Sequence, residues 1–230
     1  MRYSFFASPL PSFRPIHLLF MPTEQDLLHY CLQHTTPPSA LLQRLERETH
    51  LRTLQPQMLS GPFQGRLLQF ISQMIRPRRI LEIGTFTGYA SICLAQGLPE
   101  DGLLHTIEVN DELQPIVTAY LEEAGLRSKI ILHLGDATTL LPQFQDSFDL
   151  VFLDAGKLDY GLHYELVLPK IRPGGFLIAD NVLWSGKVLR PEKDSTAQAL
   201  NTFNAMVQAD QRVENLILPL RDGLMLVRKR

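Results

Sequence analysis

From Arg79 onward the chain alternates short apolar runs with longer amphipathic stretches, and this rhythm limits the architecture more than any other feature. Runs at Arg79–Glu82, Leu103–Glu108, Ile130–Leu134, Leu150–Leu153 and Phe176–Ala179 have strand length and consist mainly of Leu, Ile, Val and Phe. Between them, stretches near Tyr89–Gln96, Asp111–Ala124 and Gly161–Lys170 repeat at helical spacing. Strands separated by helices are joined by crossovers rather than hairpins, so the pattern predicts an α/β fold: a mostly parallel sheet with helices on both faces. After a loop at Ser185–Lys193, a helix over Ser195–Ala209 precedes two last strand segments, Val213–Leu218 and Leu224–Arg228. Arg221-Asp222-Gly223 joins them with hairpin turn chemistry, which makes the C-terminal pair antiparallel in an expected seven-stranded sheet.

Three helices are expected ahead of the sheet. Leu27, Leu28, Cys31 and Leu32 recur at helix spacing behind Thr23-Glu24, and Pro37-Pro38 interrupt them. A second helix starts near Ser39, with Leu41, Leu42 and Leu45 opposite Arg44, Glu46, Arg47 and Glu48. A third, Phe63–Ile75, presents Leu67, Leu68, Phe70, Ile71 and Met74 and stops at Pro77. Residues 23–230 therefore read as one domain, with N-terminal helices over 23–75 and an α/β core over 78–230.

Residues 1–22 read as an extension. Pro9, Pro11 and Pro15 interrupt any apolar core of a signal peptide, and Met21 opens a segment that reads like an ordinary start. No run reaches the roughly 18 apolar residues of a membrane span. Cys31 and Cys93 lie in apolar helical stretches, as buried thiols do in a reducing compartment, so a cytoplasmic location is expected. A formal charge of −2 and the lack of a basic stripe give no reason to expect a membrane surface or nucleic acid as partner.

Chemistry is concentrated at the strand ends, where open α/β sheets bind ligands. The first strand runs into Glu82-Ile83-Gly84-Thr85-Phe86-Thr87-Gly88-Tyr89, a glycine turn that opens a helix. It fits neither the dinucleotide fingerprint nor the P-loop, both of which serve phosphates. Glu108 ends the second strand, where a ribose diol would be held, and Gly135-Asp136-Ala137 follows the third. A ribose-bearing cofactor without an essential pyrophosphate is the natural inference. Two further strands stop at acids: Asp154, with Lys157, in FLDAGK, and Asp180-Asn181 in FLIADN. Carboxylate and amide oxygens without histidine or cysteine suit a hard divalent cation, Mg²⁺ with Mn²⁺ or Ca²⁺ as alternatives.

LEIGTFTGYASICLA, HTIEVN, LGDA, FLDAGKLDY and PGGFLIADNVLWSGKV stand in an order that resembles the cation-dependent S-adenosylmethionine O-methyltransferases, the caffeoyl-CoA and catechol group. The likeness covers about Ser60 to Arg230, and Met58–Gly65 resembles the loop that reaches the cofactor in that family. The resemblance implies a Rossmann-like fold and a homodimer. It also implies that Ser60, Glu82, Gly84, Thr85, Ser91, Glu108, Asp136, Ala137 and Asp154 line the cofactor. Asp154, Asp180 and Asn181 would hold the cation. Lys157 would act with Asp154 in catalysis by taking the proton or steadying the oxyanion, and Lys157, Asn181 and Trp184 would meet a phenolic acceptor with vicinal hydroxyls.

Two departures stand out. Ala90 occupies the position directly after the tyrosine where the family often has serine, and Ser91 follows it. Plant members commonly read DADK where this chain has Asp154-Ala155-Gly156-Lys157, so a second acid is replaced by Gly156. Tyr160 and His163 read as structural residues of the next helix. Two other functions fit the same motifs. One is methylation of a hydroxylated uridine in transfer RNA, which Arg76-Pro77-Arg78-Arg79 and Arg228-Lys229-Arg230 keep open; the other is a non-catalytic cofactor-binding interaction module.

Overall fold

A computed structural model describes residues 24–230. The expectations for residues 1–22 and for a cap at Thr23 lie outside the described residues. The described residues divide into two units, one ending at Thr36 and the other over 37–230. The boundary falls at Pro37, after helix α1 (Glu24–Gln33), whereas the sequence reading placed that helix inside the domain. Pro37-Pro38 end the helical pattern there, since proline lacks the amide a continuing helix needs. Cys31 on α1 is exposed, a correction to the buried thiol expected from its apolar neighbours. A ten-residue helix has no second layer of its own against which to bury that stripe.

The second unit opens with α2 (Ala40–Arg52) and α3 (Gly61–Ile75). Ser39 caps α2, its Oγ accepting from Leu42 N at 3.3 Å. Five strands then alternate with helices: β1 (Arg79–Ile83), α4 (Tyr89–Ala95), β2 (Leu103–Glu108), α5 (Gln114–Glu123), β3 (Ile130–Leu134), α6 (Ala137–Leu140), β4 (Phe148–Leu153), α7 (Tyr160–Val167) and β5 (Ile171–Ala179). Helix α8 (Ser195–Ala209) and the hairpin β6 (Val213–Leu218) and β7 (Leu224–Lys229) complete it. The strand order is β3-β2-β1-β4-β5-β7-β6, and β7 alone runs against the rest. This is the expected Rossmann-like sheet of seven strands with an antiparallel C-terminal pair.

Alternation along each strand builds two cores. Leu81, Ile83, Val151, Leu153, Leu177 and Ala179 face Tyr160, Tyr164, Leu200 and Phe203 of α7 and α8. Ile80, Leu104, Leu150, Phe152 and Ile178 face Leu45, Leu68, Tyr89, Ile92 and Val117 of α2 to α5. Leu150 to Leu153 of β4 are all 0% exposed, as a central parallel strand covered on both sides must be. Gln64, Gly65, Leu68 and Ser72 form the buried face of α3, while Phe70 and Met74 stand exposed on the other.

Three boundaries differ from expectation. β5 begins at Ile171, before Phe176, because Arg172-Pro173-Gly174-Gly175 reads as a turn yet is carried as an irregular stretch between the Phe148 and Leu150 registers. The helix after β4 is α-helical only to Val167, and Pro169 turns its end into a 3₁₀ segment. The segment read as a loop over Ser185–Lys193 instead contains 3₁₀ turns within Trp184–Leu189, broken by a left-handed kink at Ser185 and Gly186, and a further one at Pro191–Lys193.

Candidate active site

β1 and β4 are neighbours whose crossover connections leave toward opposite sides, so the sheet has a switch point between them, and a crevice lies at their carboxyl ends. Backbone bonds continue past the strands and stitch the following loops into a row. Gly135 N donates to Glu108 O (2.8 Å), Gly84 N to Ile107 O (3.0 Å), Asp154 N to Ile83 O (2.8 Å) and Asp180 N to Leu153 O (3.0 Å). Glu108, Gly84, Asp154 and Asp180 thus occupy four adjacent loops. Gly84 makes the row possible: its φ is +100°, and a Cβ there would lie 2.1 Å from the Asp154 carbonyl oxygen.

Glu82 interrupts the apolar face of β1 and is 0% exposed. Its Oε2 accepts from Ser91 Oγ and, at 2.6 Å, from Thr106 Oγ1, its register partner on β2. Its Oε1 is buried without a partner. Burial pushes the carboxyl up to about 8; the two hydroxyls pull it down, and the charges of Asp154 and Glu108 push it further up. Ser91 is fully buried behind Glu82, so its hydroxyl is spent on that carboxylate. Thr85 Oγ1 pairs with Thr106 Oγ1 at 2.5 Å, extending this buried polar chain.

Glu108 is held at both oxygens by backbone amides, Oε2 by Phe86 N (2.7 Å) and Oε1 by Asn110 N (2.9 Å). Asp136 caps α6 by accepting from Thr138 N at 2.8 Å, and those Thr138 bonds hold its carboxyl below the usual range. Ala137 is buried beside it. Ser60, 6% exposed, precedes α3, and its carbonyl accepts from Arg221.

Asp154 Oδ1 accepts from Lys157 Nζ at 2.6 Å, and the ammonium also lies 5.1 Å over the Tyr160 ring. Burial acts to lower the Lys157 pKa, but Tyr160 and Asp154 outweigh it and raise it above the ordinary value, so the group stays charged. Asp180, 4% exposed, is raised to about 6 by burial and then by the Asp154 charge. Its Oδ2 accepts from Gln64 Nε2 at 2.6 Å and its Oδ1 from Asn181 N at 2.7 Å. Asn181 has φ +58°, a left-handed conformation that asparagine tolerates better than most residues.

Among the described residues no three His, Cys, Asp or Glu side chains converge as a metal cluster. The candidate set is two carboxylates plus the amide of Asn181. Its donor chemistry still fits a hard cation: Asp180 is destabilised by the Asp154 charge, and an ammonium already sits against Asp154 as a positive counter-group.

Trp184 lies partly buried against the α7–α8 core, with Lys187 Nζ 5.9 Å from its ring centroid. The 3₁₀ stretch that follows opens a cavity of about 570 Å³, lined by Leu189, Lys187, Arg190 and Lys193 among others. The site also has supports: Tyr160, read from the sequence as structural, has that role, and Gln64 and Arg221 are the residues that sequence reasoning missed. Tyr160 donates to both Leu153 O (3.1 Å) and Asp180 O (3.0 Å), tying the ends of β4 and β5, and Gln64 and Arg221 reach the site from distant segments. A glutamine on a buried helical face was the one available signal.

The O-methyltransferase family model matches residues 33–230. A catechol O-methyltransferase of Niastella koreensis is 35% identical over 170 residues, 72% of this chain and 77% of that protein. A caffeoyl-CoA O-methyltransferase of Stellaria longipes is 31% identical over 184 residues, 75% and 76% of the two chains. Among solved structures, the O-methyltransferase TomG of Streptomyces achromogenes, in complex with S-adenosylmethionine, superposes with a TM-score of 0.83 at 31% identity, covering 89% of this chain and 96% of that one. With the family model spanning all of the second unit, and these relatives matching at such identity and coverage, the chain belongs to the O-methyltransferase family.

Proposed function

We propose that this enzyme transfers the methyl group of S-adenosylmethionine to one hydroxyl of a small phenolic vicinal diol, with a divalent cation bound beside the donor. The stitched row of loops is what supports the reading, because it brings Glu108, Asp154 and Asp180 to one crevice, as a donor site beside a cation site would require. Glu108, anchored through two amides, keeps lone pairs for the ribose hydroxyls. The unpartnered Oε1 of Glu82 is suited to the cationic amino group of the donor's methionine part, whose charge would offset that of the buried carboxylate. Gly84, Thr85 and Ser60 border the same end, and Asp136-Ala137 the adenine. Ser91 acts through Glu82 rather than on the donor.

Asp154, Asp180 and Asn181 would hold the cation, which when bound orients the acceptor and lowers the pKa of the hydroxyl it touches. Lys157, ion-paired to Asp154 Oδ1 at 2.6 Å, would steady an anionic acceptor oxygen beside the cation. In the transfer the O–CH₃ bond forms as the S–CH₃ bond breaks, the sulfonium becomes a thioether, and the hydroxyl proton passes to solvent water. Trp184, three positions beyond Asn181, would border the acceptor side.

A transfer RNA acceptor is disfavoured by where the basic residues fall. Arg78 precedes β1 and Arg79 opens it, and Arg228 near the end of antiparallel β7 pairs with Phe176 of β5, so both clusters lie toward the end of the sheet opposite the crevice. Arg78, Arg79 and Arg228 also pair with Asp101, Asp146 and Glu214. The exposed Phe70 and Met74 on α3 support a homodimer. A cytoplasmic location remains part of the same proposal; among the described residues no helix is long and apolar enough to cross a membrane.

The test is methyl transfer from labelled donor to a catechol panel and to hypomodified transfer RNA, each with and without EDTA. Catechol turnover abolished by EDTA is the expected result. Turnover indifferent to chelation refutes the cation, and turnover on RNA alone refutes the acceptor class.

A further inference from the structure

The turn Arg221-Asp222-Gly223, which in the sequence marks only a hairpin, reaches two walls of the site. On one side the Arg221 guanidinium donates to Leu59 O (3.3 Å), to Ser60 O and to Gln64 Oε1 (3.2 Å). Because that oxygen accepts from Arg221, the amide nitrogen of Gln64 is the end turned toward Asp180. Gln64 is 1% exposed, so solvent offers it no alternative partner.

On the other side the turn binds the segment that follows Asn181. Leu183 N donates to Asp222 O (2.8 Å), Val182 N to Gly223 O (3.1 Å) and Ser185 N to Asp222 Oδ1 (2.5 Å). A Cβ on Gly223, whose φ is +88°, would lie 2.4 Å from Leu183 Cγ, so glycine is required for this approach. Arg221 itself has φ +50°, a conformation an arginine keeps only where its surroundings hold it.

We propose that this turn is a positioning clasp for the cation ligands and the donor loop, so that the C-terminal hairpin is part of the active site. Through Gln64 it orients the Asp180 carboxylate, whose two oxygens each accept one protein donor and keep lone pairs for a cation. Through Asp222 and Gly223 it fixes the chain just beyond Asn181, and through Leu59 and Ser60 it holds the loop on the donor side. The proposal rests on the cation reading above. Arg221, Gln64 and Asp222 are positioning residues, since none is assigned a contact with donor or acceptor.

The experiment titrates Mn²⁺ by the loss of its free-ion paramagnetic resonance signal and S-adenosylhomocysteine by calorimetry, on wild type, Asp154→Ala, Gln64→Leu, Gln64→Asn and Arg221→Ala. The Gln64 variants should bind Mn²⁺ about 10- to 100-fold more weakly, the usual effect of losing an outer-shell partner. They should bind S-adenosylhomocysteine within about twofold of wild type, as an independent site does. Arg221→Ala should weaken both ligands, because it frees the amide and the Leu59–Ser60 loop together. A merely structural role would lower the melting temperature without separating the two ligands. Mn²⁺ affinities equal to wild type in the Gln64 variants overturn the clasp, as does an equal loss of both ligands. If Gln64→Leu fails to fold, Gln64→Asn decides, since it keeps the amide but withdraws it from Asp180. Wild type binding Mn²⁺ no better than Asp154→Ala overturns the cation reading and the clasp with it, an outcome distinct from the first two.

Discussion

Replacing Glu82 with glutamine tests whether a buried carboxyl makes the ligand-free fold sensitive to pH. Burial, with smaller contributions from Asp154 and Glu108, moves its pKa from 4.5 to about 8 against the pull of Ser91 and Thr106. At about 1.36 kcal/mol per pH unit, the displacement corresponds to on the order of 5 kcal/mol of folding free energy. The folded value lies above the unfolded one, so the folded chain keeps a proton that the unfolded chain releases. The stabilisation is therefore fully present below about pH 4.5 and is lost as pH climbs to about 8. Glutamine does not titrate. Its oxygen can accept from both hydroxyls that now share Oε2, and its nitrogen takes the place of the unpartnered Oε1, so the variant resembles the protonated wild type.

Urea unfolding of the ligand-free proteins between about pH 5 and pH 9 reads the difference directly. Glu82→Gln should match wild type near pH 5, gain on it steadily, and level off above about pH 8 with an advantage of several kcal/mol. Parallel stability curves for the two proteins would refute the reasoning, because they would mean that Glu82 carries the same charge folded and unfolded. The same variant should bind S-adenosylhomocysteine more weakly, since it loses the carboxylate proposed to meet the donor's amino group.

Gly84→Ala should destabilise the fold by about 1–3 kcal/mol or more, from the left-handed backbone alone, before any shift of the Asp154 carbonyl is counted; urea midpoints check this, and a neutral result would show that the two loops are not in contact. Glu108→Ala should weaken S-adenosylhomocysteine binding in calorimetry while leaving Mn²⁺ affinity within about twofold, as expected of separate sites. Equal losses would show that the donor and cation roles are wrongly divided.

The sheet was legible because burial on both faces leaves a plain signature: Leu150–Leu153 of β4 is an unbroken apolar run, and Glu108, Asp154 and Asp180 stand where such runs stop. The start of β5 was not, because Pro-Gly-Gly has the same appearance in a turn and in an irregular strand. Cys31 was misread because amphipathic spacing marks which face of a helix is apolar and says nothing about whether a partner layer covers it. Phe70 and Met74 show the same limit, lying on an apolar face of α3 that the chain leaves exposed.

Local pattern along the chain was enough for the element types, the crossover topology and the acids and amide at the strand ends, since each depends on residues within a few positions of one another. The supports of the site depend on residues far apart in the chain. Gln64 meets Asp180 across 116 positions and Arg221 meets Ser60 across 161; even Ser91, only nine positions from Glu82, is turned onto it by the packing of its helix. Such partnerships leave no mark in local sequence, because a glutamine, an arginine or a serine has many possible hydrogen-bond partners. The fold selects one of them by excluding water and bringing a single acceptor within reach.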